Sequence, residues 1–188
     1  MTKSVLIAIR PQLVEKIASG QKTIEVRKTA PQEVPFKAYI YCTKEKKQDD
    51  IIWAGIFGDR GKWNGRVIGE FICNNASELD YVYYWNNGYE FETCLTYRQV
   101  ADYGKGKTLY GWHISDLKIY DTLKELSEFN AVCKYINEDK SCHFRKVMCP
   151  YQQFDYNEDG SINIVECSRV ITRPPQSWMY VEDLGEEE

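Results

Sequence analysis

The chain has 188 residues, a formal net charge of −4, 43% apolar residues and 14% aromatic ones. That length and apolar content fit one domain over 1–188 with a real core, and the mild acidity argues against avid, sequence-blind binding to polyanions. The N-terminal apolar run spans five residues, too short for a membrane span or secretory leader, so a soluble cytoplasmic protein is expected.

Seven cysteines without a leader point to reduced thiols or a metal rather than to disulfides. Charge is unevenly spread: residues 1–48 hold ten Lys/Arg against four Asp/Glu, and the remainder 14 against 24. Any nucleic-acid face is therefore expected near the N-terminal unit, unless the asymmetry is only a solvated surface.

In chain order, Val5-Leu6-Ile7-Ala8-Ile9 predicts a buried strand. Pro11 suits the first helical position, Leu13, Val14 and Ile17 fall on one helical face, and Gly20 ends the helix as a C′ glycine. Thr23-Ile24-Glu25-Val26-Arg27 then alternates strictly. Ile24 and Val26 are expected in the core, with Thr23, Glu25 and Arg27 on the other face and Lys22 at its entrance. An acid is thereby set between two cations, as a salt-bridged rail or as the polar floor of a cleft.

Pro31 and Pro35 mark an irregular connection before a strand at Lys37–Cys42. Lys44–Gly65 reads as a hairpin or mobile excursion whose Trp53 and Trp63 pack down or stack on bases. Arg66–Cys73 is the next strand, with Val67, Gly69, Phe71 and Cys73 on one face and Ile68, Glu70 and Ile72 on the other. The aromatic run Tyr81–Trp85 is read as packing. Thr96-x-x-Gln99 has the capping-box pattern of a helix running to about Tyr103 and ended by Gly104. Leu109–Tyr120 reads as one long strand with a bend allowed at Gly111, and Thr122-x-x-Glu125 caps a helix ending near Phe129. Trp178–Val181 closes the fold. Strands predominate and short helices are interspersed, so the class is α+β, arranged as a barrel.

Lysine and arginine flanking a carboxylate suit a nucleotide. The cations hold phosphate or a carbonyl edge, and the carboxylate accepts from an exocyclic amine. Tyr39, Tyr41, Trp112 or Trp178 supply a stacking wall for an unpaired base. The competing reading is that Lys22, Glu25 and Arg27 only satisfy one another.

Gly20-x-Lys22-x-x-Glu25-x-Arg27 resembles the GxKxxExR signature of ASCH domains, within the PUA-like superfamily. Arg66–Phe71, Tyr110–Ile114 and Pro174–Trp178 look like further stretches of small stand-alone ASCH proteins of bacteria and phages. The resemblance implies a mixed PUA-like β-barrel with short flanking helices, and a cleft for RNA or a modified nucleoside. It is taken to involve Lys22, Thr23, Glu25, Arg27, Tyr41 and Trp112. Some relatives are amidohydrolases acting on N4-acetylcytidine, and others are reported as ribonucleases. Lys22 matches the amidohydrolase lysine, but Glu25 stands where their nucleophilic threonine is, and Glu70 is matched to the more distant acid by strand context alone. A hydrolase with Lys22 and Glu25 as catalytic groups is therefore the alternative, Glu25 activating water. A protein-binding phage or prophage factor is the third reading, motivated by the acidic remainder and the long insert.

That insert, at about 130–172, is Cys-rich. Cys133, Cys142, Cys149 and Cys167, with His143, form a candidate structural zinc site, although the spacing lacks paired C-x2-C knuckles. Asp155, Asn157, Asp159, Gly160, Ile162 and Glu166 match a calcium loop position for position. The β-branched exit favours instead a hairpin turning at Asp159-Gly160, with Ile162 and Ile164 on the returning strand.

Overall fold

The computed structural model describes residues 3–44, 62–80, 89–132, 152–156, 158–160, 162–167 and 169–185, with the backbone alone for 152–156 and 162–167. The apolar N-terminal run forms β1 (Lys3–Ile9), parallel to β3 (Phe36–Cys42) and antiparallel to β10 (Trp178–Val181). A parallel pair needs a crossover, here built from α1 (Pro11–Ala18) and β2 (Ile24–Arg27). β4 (Val67–Cys73) and β7 (Ser115–Lys124) complete a five-stranded sheet of order β10-β1-β3-β4-β7. β2 belongs to a second sheet, β2-β6-β5, with β5 at Ala76–Glu78 and β6 at Tyr110–His113.

The helices follow local signals. α1 begins at Pro11, buries Val14 and Ile17, and gives way to Gly20 at φ +74°. α2 (Tyr89–Thr93) is a short turn of helix, and α3 (Tyr97–Gly104) opens with both halves of the Thr96/Gln99 capping box in place. Lys105, not Gly104, adopts the left-handed conformation that ends α3, at φ 51°.

The core lies on both faces of the larger sheet. Val5, Ile7, Ile9, Phe36 and Ile40 pack with Val14 and Ile17 of α1 and Trp112 of β6. Leu6, Ala8, Tyr39, Tyr41, Phe129 and Ile171 form the opposite layer. Val26, Leu79, Val100 and Leu109 make a smaller cluster joining β2 to α3.

Several expectations are corrected. The sheets do not close into a barrel: two separate sheets and a hairpin account for the strands of the described residues. The predicted strand at 109–120 explains why. It breaks at Ile114, whose N–H is taken by Thr23 O, so β6 joins the small sheet and β7 the large one. The predicted helix at 122–129 is a continuation of β7 to Lys124, followed by one 3-10 turn at Leu126–Glu128. Pairing of Lys124 with Val67 across the sheet overrides the local capping pattern. In β4, register shifts place Ile68 in the same layer as Phe71 and Cys73, and Val67 in the other.

In the insert, β8 (Gln152–Tyr156) and β9 (Ile162–Cys167) pair across the turn that contains Gly160 at φ +78°. Strands, not helices, therefore flank the calcium-like motif, as the hairpin reading expects. Cys133, Cys142, His143 and Cys149 lie outside the described residues, as do Trp53 and Tyr81–Trp85, and of Cys167 only the backbone is described. No Cys-rich cluster is therefore part of the described architecture, and no group of three or more metal-ligating side chains occurs among the described residues. Cys42, Cys73 and Cys94 are reduced cysteines outside any disulfide, and no described helix is long and apolar enough to cross a membrane.

Candidate functional site

The turn after α1 folds tightly back, with Lys22 N–H donating to Lys16 O at 2.8 Å. Thr23 N–H donates to Glu92 O of α2 at 2.8 Å, while Thr23 O accepts from Ile114 at 2.9 Å. Held on both sides, this turn sends the Lys22 side chain inward. Its ammonium donates to Ile24 O at 2.8 Å and to Thr93 O at 2.6 Å, and lies 3.2 Å from Glu25 Oε2. An ammonium has three hydrogens, and three oxygens surround this one.

Glu25 and Arg27 lie on one face of β2, as strand alternation requires. Arg27 Nη2 is 3.0 Å from Glu25 Oε1 and donates to Ala8 O of β1 at 2.7 Å. Arg27 Nη1 reaches Ser177 Oγ at 3.5 Å. Trp112 sits directly opposite Glu25 in the β2–β6 pairing, its ring edge-on to Phe36 at 5.0 Å and to Trp178 at 5.6 Å. Trp178 in turn donates Nε1–H to Thr29 Oγ1 at 3.0 Å.

The polar face of β2 is buried. Lys22, Glu25 and Arg27 are 1%, 3% and 7% exposed, and Ile24 and Val26 are buried behind them. Among the described residues Glu25 is the one buried carboxylate, set against two buried cations. Not all of their polar atoms are satisfied. Glu25 Oε2 accepts no aligned hydrogen bond despite the nearby ammonium, and Arg27 Nε and Trp112 Nε1 donate to nothing.

The other sequence candidates fall elsewhere. Thr23 precedes β2 and is exposed at the edge of the site. Tyr41 is buried in the layer opposite to that of Trp112, so the two do not form one stacking wall. Glu70 faces that second layer too. It sits opposite Tyr39 and accepts from Tyr120 Oη at 2.6 Å, well separated in the fold from the Lys22–Glu25 pair. His113 pairs with Ile24 at the far end of β6. The Ala8, Thr93 and Ser177 contacts were not foreseen. Backbone carbonyls carry no sequence signal, although Ser177 falls in one of the family-like stretches.

Two surface hollows adjoin the turn. One, of about 440 Å3, lies between Lys16, Ser19, Gln21 and Trp63. The other, of about 480 Å3, lies between Lys16 and Gln21 on one side and Glu90, Phe91, Cys94 and Leu95 on the other. Phe91 is 86% exposed. The buried trio lines neither hollow.

No family model and no curated protein matches the chain. Among solved structures, a serine-to-alanine variant of ZmASCH from Zymomonas mobilis aligns over 96% of this chain and 89% of its own, with a TM-score of 0.56 and 17% identity. A tyrosine-to-phenylalanine variant and the ASCH protein itself, from the same organism, align over 67% of this chain and 80% and 78% of theirs, at 21% and 22% identity and a TM-score of 0.49. The first alignment carries the likeness: the chain has an ASCH-type α+β fold.

Proposed function

We propose that the chain binds RNA or a modified nucleoside beside the signature strand, with Glu25, Arg27 and Trp112 as the recognising groups. The observation that carries this reading is the set of unpartnered atoms on one strand face: Glu25 Oε2, Arg27 Nε and Trp112 Nε1. A buried polar atom left without a partner costs roughly 1–3 kcal/mol. A ligand edge offering one donor and two acceptors relieves that cost, and the excess of one buried cation suits an electron-rich carbonyl or a phosphate. Direct entry to these atoms requires side chains to shift, which fits a site that orders around its ligand.

Hydrolysis is the second reading, favoured by Glu25 Oε2, a carboxylate oxygen free to take a proton from water. Two features weigh against an amidohydrolase-like mechanism: Glu70 faces a different layer, and Thr23 is at the exposed edge. Incubation with N4-acetylcytidine and with short single-stranded RNA, followed by mass spectrometry and calorimetry, decides between the readings. Heat of binding without products is expected. Products that vanish in Glu25→Gln would establish the hydrolase, and neither heat nor products would remove both readings.

A further inference from the structure

We infer that Lys22 is a positioning residue: it fastens α2 to the signature strand, and with it one wall of the 480 Å3 hollow, without touching a ligand itself. The inference rests on the reading that a ligand binds beside this strand. Its physical basis is the enclosure of the ammonium by protein oxygens. Thr93 O at 2.6 Å and Ile24 O at 2.8 Å accept from it, Glu25 Oε2 lies 3.2 Å away as its ion-pair partner, and its side chain is 0% exposed. A group so enclosed has no path to a ligand.

What it does have is reach. Thr93 is 71 residues away in sequence, and α2 is five residues long, too short to hold its own place. The Thr23 N–H to Glu92 O bond at 2.8 Å is a second link between the same two segments. Thr93 is fully buried and passes the restraint on, since its hydroxyl donates to Tyr89 O at 2.5 Å and accepts from Leu95 N–H at 3.3 Å. The residues fixed in this way, from Glu90 to Leu95, include those that face Lys16 and Gln21 across the hollow, and they carry the exposed ring of Phe91. Lys22 is thus placed to act through α2, by setting where that wall and its aromatic ring stand.

The test separates a clamp from a ligand contact by replacing the clamp. In a Cys94→Ser background, Lys22→Met removes the ammonium, and Thr23→Cys with Glu92→Cys supplies a disulfide between the two exposed positions already joined by a backbone hydrogen bond. The probe is a fluorescein-labelled single-stranded RNA of mixed sequence, and hydrogen exchange of the Thr23 amide reports whether α2 is docked. Lys22→Met alone is expected to speed that exchange and to weaken RNA binding by about tenfold or more, the scale of one lost ordering contact. Closing the disulfide should restore both, and reducing it should undo the rescue. Restored exchange with binding still weak would overturn the proposal, because Lys22 would then be touching the RNA. Unchanged exchange in Lys22→Met would overturn it equally.

If Lys22→Met alone does not fold, the oxidised tethered chain is compared with and without Lys22. Equal affinities support the clamp, and a lower one without Lys22 overturns it. Should the unaltered chain bind neither RNA nor nucleoside, the proposed function falls, and the exchange measurement still decides the role of Lys22.

Discussion

The two faces of the larger sheet each carry a polar network, and the networks differ in how completely they satisfy themselves. On one face, Asp183 Oδ1 accepts from Tyr39 Oη at 2.5 Å, Lys37 Nζ at 3.0 Å and Gly185 N–H at 3.2 Å, while Tyr39 Oη accepts from Leu184 N–H at 3.0 Å. Tyr39 is wholly buried, but Asp183 is 35% exposed at the side chain. The cluster ties the C-terminal residues onto β3 and leaves its hydroxyl and ammonium engaged. On the other face, two cations share Glu25, and three buried polar atoms lack hydrogen-bond partners. On the proposed reading, similar chemistry serves two ends. A network closed on itself fastens chain to chain, whereas the buried, open one carries a cost that a complementary ligand would relieve.

The comparison is broken most sharply at its lysines. Lys22→Met should destabilise the fold by about 3–5 kcal/mol, because it leaves a buried carboxylate with one partner fewer and two carbonyls without their donor. Lys37→Met, at the solvated network, should cost less than about 1 kcal/mol. Denaturant unfolding of both variants measures the difference, and equal costs would erase the distinction between the two networks. Glu25→Gln comes next. It should weaken nucleoside or RNA binding by about 1–3 kcal/mol in calorimetric titration. A counter-ion role alone would cost stability and leave affinity intact, and a general base would keep affinity while turnover collapsed.

Much of the fold was readable because local and tertiary demands agree. Pro11, the Leu13/Val14/Ile17 stripe and Gly20 define α1, the Thr96/Gln99 box defines α3, and Trp178–Val181 is the closing strand within its expected bounds. Reading failed where pairing between distant strands decides. Nothing local to Thr122–Glu125 reveals that Val67 awaits Lys124 across the sheet, and nothing near Gly111 reveals that the break comes at Ile114. The site follows the same rule. Alternation correctly set Glu25 and Arg27 on one face, but it could not tell that α2 and β1 cover that face. Those covers contribute backbone oxygens, at Thr93 and Ala8, whose positions no side-chain pattern encodes.

Removing the hydroxyl of Tyr39 is a smaller perturbation. Tyr39→Phe leaves Leu184 N–H without its acceptor and Asp183 with one donor fewer, at about 1 kcal/mol of stability. Ligand affinity should be unaffected, because this ring lies in the layer opposite to that of Trp112. A loss of RNA binding in Tyr39→Phe would mean that the two faces are coupled.

The smallest effect lies in the pH dependence of the Asp183 network, and its sign is fixed by opposing causes. Partial burial alone would raise the carboxyl pKa. Hydrogen bonds from Tyr39, Lys37 and Gly185 outweigh it and hold the group below its ordinary 3.8. A depressed folded pKa adds stability that is fully present above 3.8 and lost as pH falls through the folded value. Tyr39 works from the alkaline side. Burial first, then the bond to Asp183, raises its phenol above the ordinary 10.0, so its contribution is full below 10.0 and declines as pH rises beyond it. Stability from this network should therefore be flat between those limits and fall on either side. Solvent screening of the partly exposed Asp183 keeps the acid step below about 1 kcal/mol. Unfolding curves taken across this range should show the acid step in the unaltered chain and lack it in Asp183→Asn, with the alkaline limb shallower but present. The same acid step in both proteins would mean that Asp183 does not hold the C-terminal residues to Tyr39, and the contrast between a closed and an open network would lose its reference.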